Sequence, residues 1–316
     1  MIHTERKYIE ILRILKEHQE PVGAKRLSEL MAERGFVMSD RAVQYYLSYL
    51  DEMGFTQKVG NYGRILTENG TSETERALVG GRIGFIISKL ERLAFRSTFN
   101  PDTGTGEVGY NLTRVPEPIL EGVISCFEQV KRSGLGFFNG YRIIDKDPRI
   151  PKGNVGIISV CSITMDGVYQ RLGVPVRMAF GGRLSIKKNS PDCFLDVIAY
   201  SGTTVDPLQI FIAAGLTSVQ NIVRTGNGVA LANVREVPAM AEGIIKDVSE
   251  SMVKCGFNPP VCVGREVLNL QPEPSRISIV SFSGMNYIGN ACEQGYKLET
   301  EIGAGNIPFS KICEDN

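Results

Sequence analysis

The chain has no tryptophan and only two histidines, His3 and His18, in 316 residues. Both histidines lie near the N-terminus, far along the chain from every cysteine, so a Cys/His zinc site and a histidine-based catalytic triad lack their parts. There is no CxxC pair either. Seven cysteines, an odd number whose closest spacing is Cys255 to Cys262, point to reduced thiols in a cytoplasm rather than to a disulfide scaffold. No apolar run reaches about 18 residues, which argues against a membrane-spanning helix. Charges from Glu5 onward leave no signal-peptide core. Net charge is also missing: 35 basic residues balance 35 acidic ones, so total charge selects no acidic partner. What is present is 42 % apolar content, enough for ordinary cores, in a length that favours two domains.

The first 70 residues read as a compact unit. Tyr8, Ile11, Leu12 and Leu15 share one helical face, Pro21 and Gly23 break the chain, and Ala24, Leu27, Leu30 and Met31 form a second stripe that stops at Gly35. A third helix opens at Ser39, a good N-cap, with Asp40 where a helix start favours negative charge. Val43, Leu47 and Leu50 form its buried stripe. "FTQKVGNYGRILT" then gives two short strands around a Gly-Asn-Tyr-Gly turn. Three helices and a hairpin make a winged helix-turn-helix, whose third helix enters the major groove. The outer face of that helix fits the role. Arg41 and Gln44 suit guanine and adenine edges, Ser39, Tyr45 and Ser48 suit phosphate or base, and Lys58 and Arg64 place cations on the wing. The bland alternatives are a helical bundle with a solvated face, or a winged helix that binds protein. Ten basic against ten acidic residues in this segment weaken a purely electrostatic case, but the element order and the face chemistry favour DNA.

Residues 71–79 read as a linker, and residues 80–316 have a different, glycine-rich character that mixes strands with helices. Compared with itself at an offset of 122, this part shows a duplication. "TGTGEVGYNLTRVPEP" from Thr103 aligns on "TGNGVALANVREVPAM" from Thr225, and the segment from Val155 aligns on that from Ile277. The matches fall on turn residues and hold one register: Gly104 with Gly226, Asn111 with Asn233, Pro116 with Pro238, Ser159 with Ser281 and Gly181 with Gly303. The expectation is an α/β (α+β) effector domain of two pseudo-two-fold-related repeats, at about 80–187 and 202–309, with a ligand cleft between them. Each repeat carries a TGxG turn, an extended run, a helix, an apolar strand, a helix, and a last strand that ends at a glycine pair or near-pair.

One loop between the repeats carries chemistry. "AYSGTTVDPLQIF" is a strand end, a Ser-Gly-Thr-Thr turn, and Asp206-Pro207 opening a helix; hydroxyls and free N–H groups at such a start can hold an anion. It equally fits a well-capped helix with no ligand. Arg183 offers a cation, the TGxG turns offer backbone N–H groups, and Cys161 reads as a small buried hydrophobe in its apolar strand.

"SVCSITMDGVYQRLGVPV", "AFGGRL" and "AYSGTTVDPLQIFIAAG", behind a winged helix, resemble the NrpR family of archaeal nitrogen repressors over essentially the whole chain. The resemblance implies a cytoplasmic repressor of nitrogen-assimilation genes that binds an inverted-repeat operator in double-stranded DNA as a homodimer and is released by 2-oxoglutarate. It also implies that some chains with one effector domain work alongside a second NrpR-type subunit lacking the winged helix. The effector-binding candidates are Ser201, Gly202, Thr203, Thr204 and Asp206, with Thr103, Gly104, Thr225, Gly226, Arg183 and Cys161. No metal and no cofactor is expected. The rival readings are an enzyme acting on a small carboxylate with an accessory winged helix, and a regulator that senses another anion. The first lacks a nucleophile–base pair and any cofactor fingerprint.

Overall fold

The structure, a computed structural model, describes residues 2–18, 20–71, 74, 85–201 and 203–313. It divides into two units, Met1–Ile83 and Gly84–Asn316. The expected linker falls almost wholly outside the described residues, as does Gly202.

The first unit contains α1 (Ile2–Glu17), α2 (Ala24–Glu33), α3 (Asp40–Glu52) and a hairpin of β1 (Thr56–Val59) and β2 (Gly63–Leu66). Its core is the three predicted stripes brought together, with Ile11, Leu27, Met31, Val43 and Leu47 fully enclosed. Ser39 caps α3 as expected, its Oγ accepting the Ala42 N–H at 3.3 Å. Val22 pairs with Arg64 in an isolated antiparallel bridge beside the hairpin. That pairing requires glycine at 63: φ is +137°, and a Cβ there would lie 2.3 Å from the Val22 backbone. The winged helix-turn-helix order is present.

The second unit begins with α4 (Phe85–Arg96). It continues through β3 (Glu107–Pro116), α5 (Leu120–Ser133), β4 (Tyr141–Ile144), β5 (Asn154–Val160), α6 (Ile163–Arg171) and β6 (Arg177–Lys187). After β7 (Ser190–Ala199) come α7 (Pro207–Ala213), α8 (Val219–Thr225), β8 (Gly228–Pro238), α9 (Glu242–Lys254) and β9 (Cys262–Gly264). The chain closes with β10 (Arg276–Phe282), α10 (Met285–Glu293), β11 (Glu299–Pro308) and α11 (Ser310–Cys313). Two sheets form, β11-β3-β5-β4 and β7-β6-β8-β10-β9, and every strand pairing is antiparallel, the α+β form of the expectation. Leu112 and Ile158 of one sheet share a core with Ile277 and Ile279 of the other.

The last strand of each half lies in the other half's sheet: β11 pairs with β3, and β6 pairs with β8. The details recur at the offset of 122. Asn111 faces Ser159 as Asn233 faces Ser281, and Arg114 faces Glu299 as Glu236 faces Arg177, with the charges exchanged. Cys161 N–H donates to the Gly109 carbonyl at 2.8 Å, and Ser283 N–H donates to that of Leu231 at 3.0 Å. Gly109 N–H donates to Thr164 Oγ1 and Leu231 N–H to Asn286 Oδ1, at 3.0 and 2.7 Å.

One expectation is corrected. Gly181-Gly182 and Gly303-Ala304 lie inside β6 and β11, not at their ends. The glycines serve packing there. A Cβ on Gly181 would sit 2.9 Å from Pro207 Cβ, and one on Gly303 would sit 3.0 Å from Leu90 Cδ2 and Leu93 Cδ1. A sequence shows that a strand contains glycine, but not that a helix lies against it.

Candidate functional site

In the first unit, α3 leaves Arg41, Gln44, Tyr45 and Ser48 exposed, with Tyr45 70 % accessible. Tyr49 leans on Tyr8 at 4.9 Å between ring centroids, so only part of its ring faces out. Lys58 is exposed on the wing. Arg64 is not a free wing cation. Its Nε donates to Asp51 Oδ2 at 2.9 Å, a carboxylate on α3, and its backbone pairs with Val22, so the side chain braces the wing against the helix. Tyr62, which the sequence reading passed over, is 80 % exposed at the wing turn.

The second unit holds a cavity between its halves. β5 and β10 each turn into a nine-residue helix, and the two turns, Cys161–Ser162 and Ser283–Gly284, face the same space. Asn111 and Asn233 approach from the central strands, with Arg235, Tyr200, Asp206 and Leu90 completing the walls. Two helix starts face the space, while the Arg235 guanidinium is offset by Asp166 and the Asp206 carboxyl stands in the same lining. The cavity volume is only about 20 Å³, room for about one water.

Arg235 and Asp166 form an ion pair inside this wall, with 3 % and 1 % exposure. The guanidinium grips both carboxylate oxygens, Nη2 lying 3.2 Å from Oδ2 and Nε donating to Oδ1, while Nη2 also donates to Ser162 Oγ at 2.9 Å. The pair joins α6 to β8, across the halves. Burial pushes the Asp166 carboxyl up and the guanidinium pulls it back. A bidentate fork is the geometry that an incoming carboxylate would also use.

Asp206 does two things. Its Oδ1 accepts the Leu208 N–H at 2.8 Å and caps α7, and its Oδ2 lies 3.2 Å from the Tyr200 hydroxyl. That hydroxyl is 2.9 Å from Asn233 Oδ1, and Asn233 Nδ2 donates to Ser162 Oγ at 3.2 Å. A phenol has one proton and cannot donate to both acceptors. Either Asp206 is protonated and donates to Tyr200, or the Asn233 amide is turned over and the chain of bonds runs the other way. Burial pushes Asp206 up to about 6, close enough to neutrality for both states to be reached.

Of the effector candidates read from sequence, Cys161 and Asp206 line this cavity. Burial pushes the Cys161 thiol up to about 11, so it is a small buried wall atom rather than a nucleophile. Thr203 turns inward, its hydroxyl donating to the Tyr200 carbonyl at 3.2 Å, Thr204 is half-buried and Ser201 is exposed; none of the three lines the cavity. Gly202 lies outside the described residues. The TGxG turns are elsewhere: Gly104 faces Cys255, and Thr225 and Gly226 end α8 against Asn189. They stand at the starts of the strands whose middles hold Asn111 and Asn233, roughly 15–20 Å away at the rise of extended chain. Arg183 is engaged by Asp196 and donates from Nε to the Leu216 carbonyl at 2.7 Å, away from the cavity. Sequence reasoning missed Arg235, Asp166, Tyr200 and Ser162. The signal for Arg235 was available, a charged pair inside the apolar run "ALANVREV", next to an asparagine already matched across the halves. Among the described residues, no cluster of His, Cys, Asp or Glu could hold a metal ion, and no helix is long and apolar enough to cross a membrane.

Residues 83–314 match the NrpR regulatory domains NRD1 and 2, and residues 9–74 match the ribonuclease R winged-helix domain. The chain is 37 % identical over 302 residues to the global nitrogen regulator NrpRI of Methanosarcina mazei, covering 94 % of both. It is 32 % identical to the global nitrogen regulator NrpR of Methanococcus maripaludis, with 92 % of this chain on 52 % of that one. For the NrpR of Methanocaldococcus jannaschii the identity is 31 %, with 95 % of this chain on 53 % of that one, so the chain spans about half the length of these two relatives. Among solved structures, a nitrogen repressor-like protein from Methanococcus jannaschii shares the fold, with a TM-score of 0.59 at 22 % identity over 71 % of this chain and 96 % of that one.

Proposed function

The chain belongs to the NrpR family of nitrogen regulators, and from that premise we propose that it is a DNA-binding repressor of nitrogen-assimilation genes, released from its operator by 2-oxoglutarate. Membership in a family of regulators decides against the enzyme reading. The observation that carries DNA binding is the exposed outer face of α3, with Arg41, Gln44, Tyr45 and Ser48 presented together behind a Ser39 cap. Lys58 and Tyr62 replace Arg64 as the wing's contacts. The protein acts in the cytoplasm as a homodimer on an inverted repeat, alone or with a second NrpR-type subunit that lacks the winged helix.

The effector enters the cavity between two pseudo-two-fold-related halves. The reciprocal exchange of β6 and β11 and the hydrogen bonds that recur at the offset support that symmetry. One carboxylate of the effector takes Arg235 from Asp166, and the other meets the turns before α6 and α10. Because the closed cavity holds about one water, whereas a cavity that takes up benzene measures about 150 Å³, binding must part the walls. The DNA half of the proposal is tested on a duplex selected by the protein from a random pool. Arg41→Ala or Gln44→Ala should cost about 1–3 kcal/mol and relax base preference, whereas Lys58→Ala should weaken all sequences alike and reduce the salt dependence. Unchanged affinity and preference in the Arg41→Ala/Gln44→Ala double variant would refute the assignment of α3 as the reading helix.

A further inference from the structure

Two helices lie over the exchanged strands in matching places. α4 begins at Phe85 and α7 at Pro207, again offset by 122. Each rests on the glycine of one exchanged strand, α4 on Gly303 of β11 and α7 on Gly181 of β6, and each sends one leucine, Leu90 or Leu208, into the cavity wall. The equivalence ends with what precedes them. Before α7 stands the Tyr200–Asp206 network of the second unit itself. Before α4, in sequence, stands the winged helix.

The walls also differ in how firmly they are held. α6 is fixed to β8 by the buried Arg235–Asp166 pair, α10 by the buried amides of Asn286 and Asn290, and α7 by Asp206. Among the described residues, the polar ties of α4 to β11 are three, Lys89 Nζ to the Ile302 carbonyl at 2.8 Å and to Glu301 Oε1 at 3.4 Å, and Asn306 Nδ2 to the Leu93 carbonyl at 3.1 Å, all only part-buried. Its apolar hold is the stripe Ile86, Leu90, Leu93 and Ala94 with Ile87 beside it, and it also rests on α6, where a Cβ on Gly167 would sit 2.5 Å from the Ala94 carbonyl. Where a closed cavity must open, the wall with the fewest buried polar ties moves most readily.

We propose that α4 is the element that carries effector occupancy to the DNA-binding unit: an anion entering the cavity displaces Leu90, and the helix shifts over Gly303. This rests on the reading of the cavity as the effector site. The coupling then resides in the packing of α4 on β11 and is separable from binding. Leu93 lies on that contact but not in the cavity lining, which makes it the residue to change.

The test uses the full chain, 2-oxoglutarate and the selected duplex, on the parent, Leu93→Ala and Lys89→Met. Calorimetry gives 2-oxoglutarate affinity, and anisotropy gives duplex affinity with and without saturating 2-oxoglutarate. The parent should lose about tenfold or more in duplex affinity, while both variants keep 2-oxoglutarate affinity within about threefold but lose less than about threefold in duplex affinity. Hydrogen exchange on the parent provides a readout that survives poor folding of a variant: amides of residues 85–96 should exchange faster once 2-oxoglutarate is bound. Variants that respond as fully as the parent, or exchange in α4 that ignores bound 2-oxoglutarate, overturn the proposal. A parent that takes up no 2-oxoglutarate is distinguishable, because no binding heat appears; that result refutes the effector reading and the proposal with it.

Discussion

Asp206 caps a helix with one carboxylate oxygen and faces a buried phenol with the other, and its titration is therefore written into stability. The group sits at about 6 when folded and near 3.9 when the chain is unfolded. Between those values the folded state holds the extra proton, so stability falls as pH rises from about 4 to about 6, and the full penalty, up to about 3 kcal/mol, persists above that window. Asp206→Asn keeps a capping oxygen and cannot ionise. Urea unfolding across pH 4.5 to 7, a range of about 2.5 units set by this window, should show a falling profile for the parent that flattens in the variant. Parallel profiles would mean that Asp206 stays ionised throughout. This residue was legible in the sequence because a cap announces itself within four positions, Asp-Pro before an apolar run. Arg235 and Asp166 were not, since their partnership spans 69 residues and nothing local marks either as paired.

Elements were legible wherever their determinants are contiguous. The three helices and the wing of the first unit follow from stripes, a Ser39 cap and a glycine turn, all inside about one turn or hairpin of chain. The recurrence at an offset of 122 was visible in the sequence because its matches fall on turn glycines. The exchange of β6 and β11 was hidden, because Glu299 meets Arg114 across most of the unit and strand alternation does not name a partner. The wing cation at Arg64 failed for a similar reason: the sequence places it on a strand, and only the fold brings Asp51 to it. The mid-strand glycines give a prediction at this scale. Gly303 has φ +56° and helix side chains at 3.0 Å from an added Cβ, whereas Gly295 has φ +92° and nothing within 4 Å. Gly295→Ala should cost about 1–2 kcal/mol from backbone strain alone. Gly303→Val should cost that and about 1–3 kcal/mol more from overpacking against Leu90 and Leu93. Equal losses in denaturant unfolding would show that α4 does not press on β11.

At the scale of the whole molecule, the proposed function puts a DNA-reading unit and an anion-sensing unit in one chain, and their linkage has meaning only if each ligand changes the affinity for the other. Two features of the cavity support the dicarboxylate reading: one guanidinium already gripping a carboxylate, and two helix starts facing the same closed space. On that reading, its size in the closed form requires that binding be a change of shape. The deciding measurement is the affinity of the full-length protein for its selected duplex, by fluorescence anisotropy, as 2-oxoglutarate is raised to saturation at fixed salt. The account predicts a saturable weakening of about tenfold or more. A duplex affinity that stays constant, both for the chain alone and with a second NrpR-type regulatory subunit supplied, would contradict it.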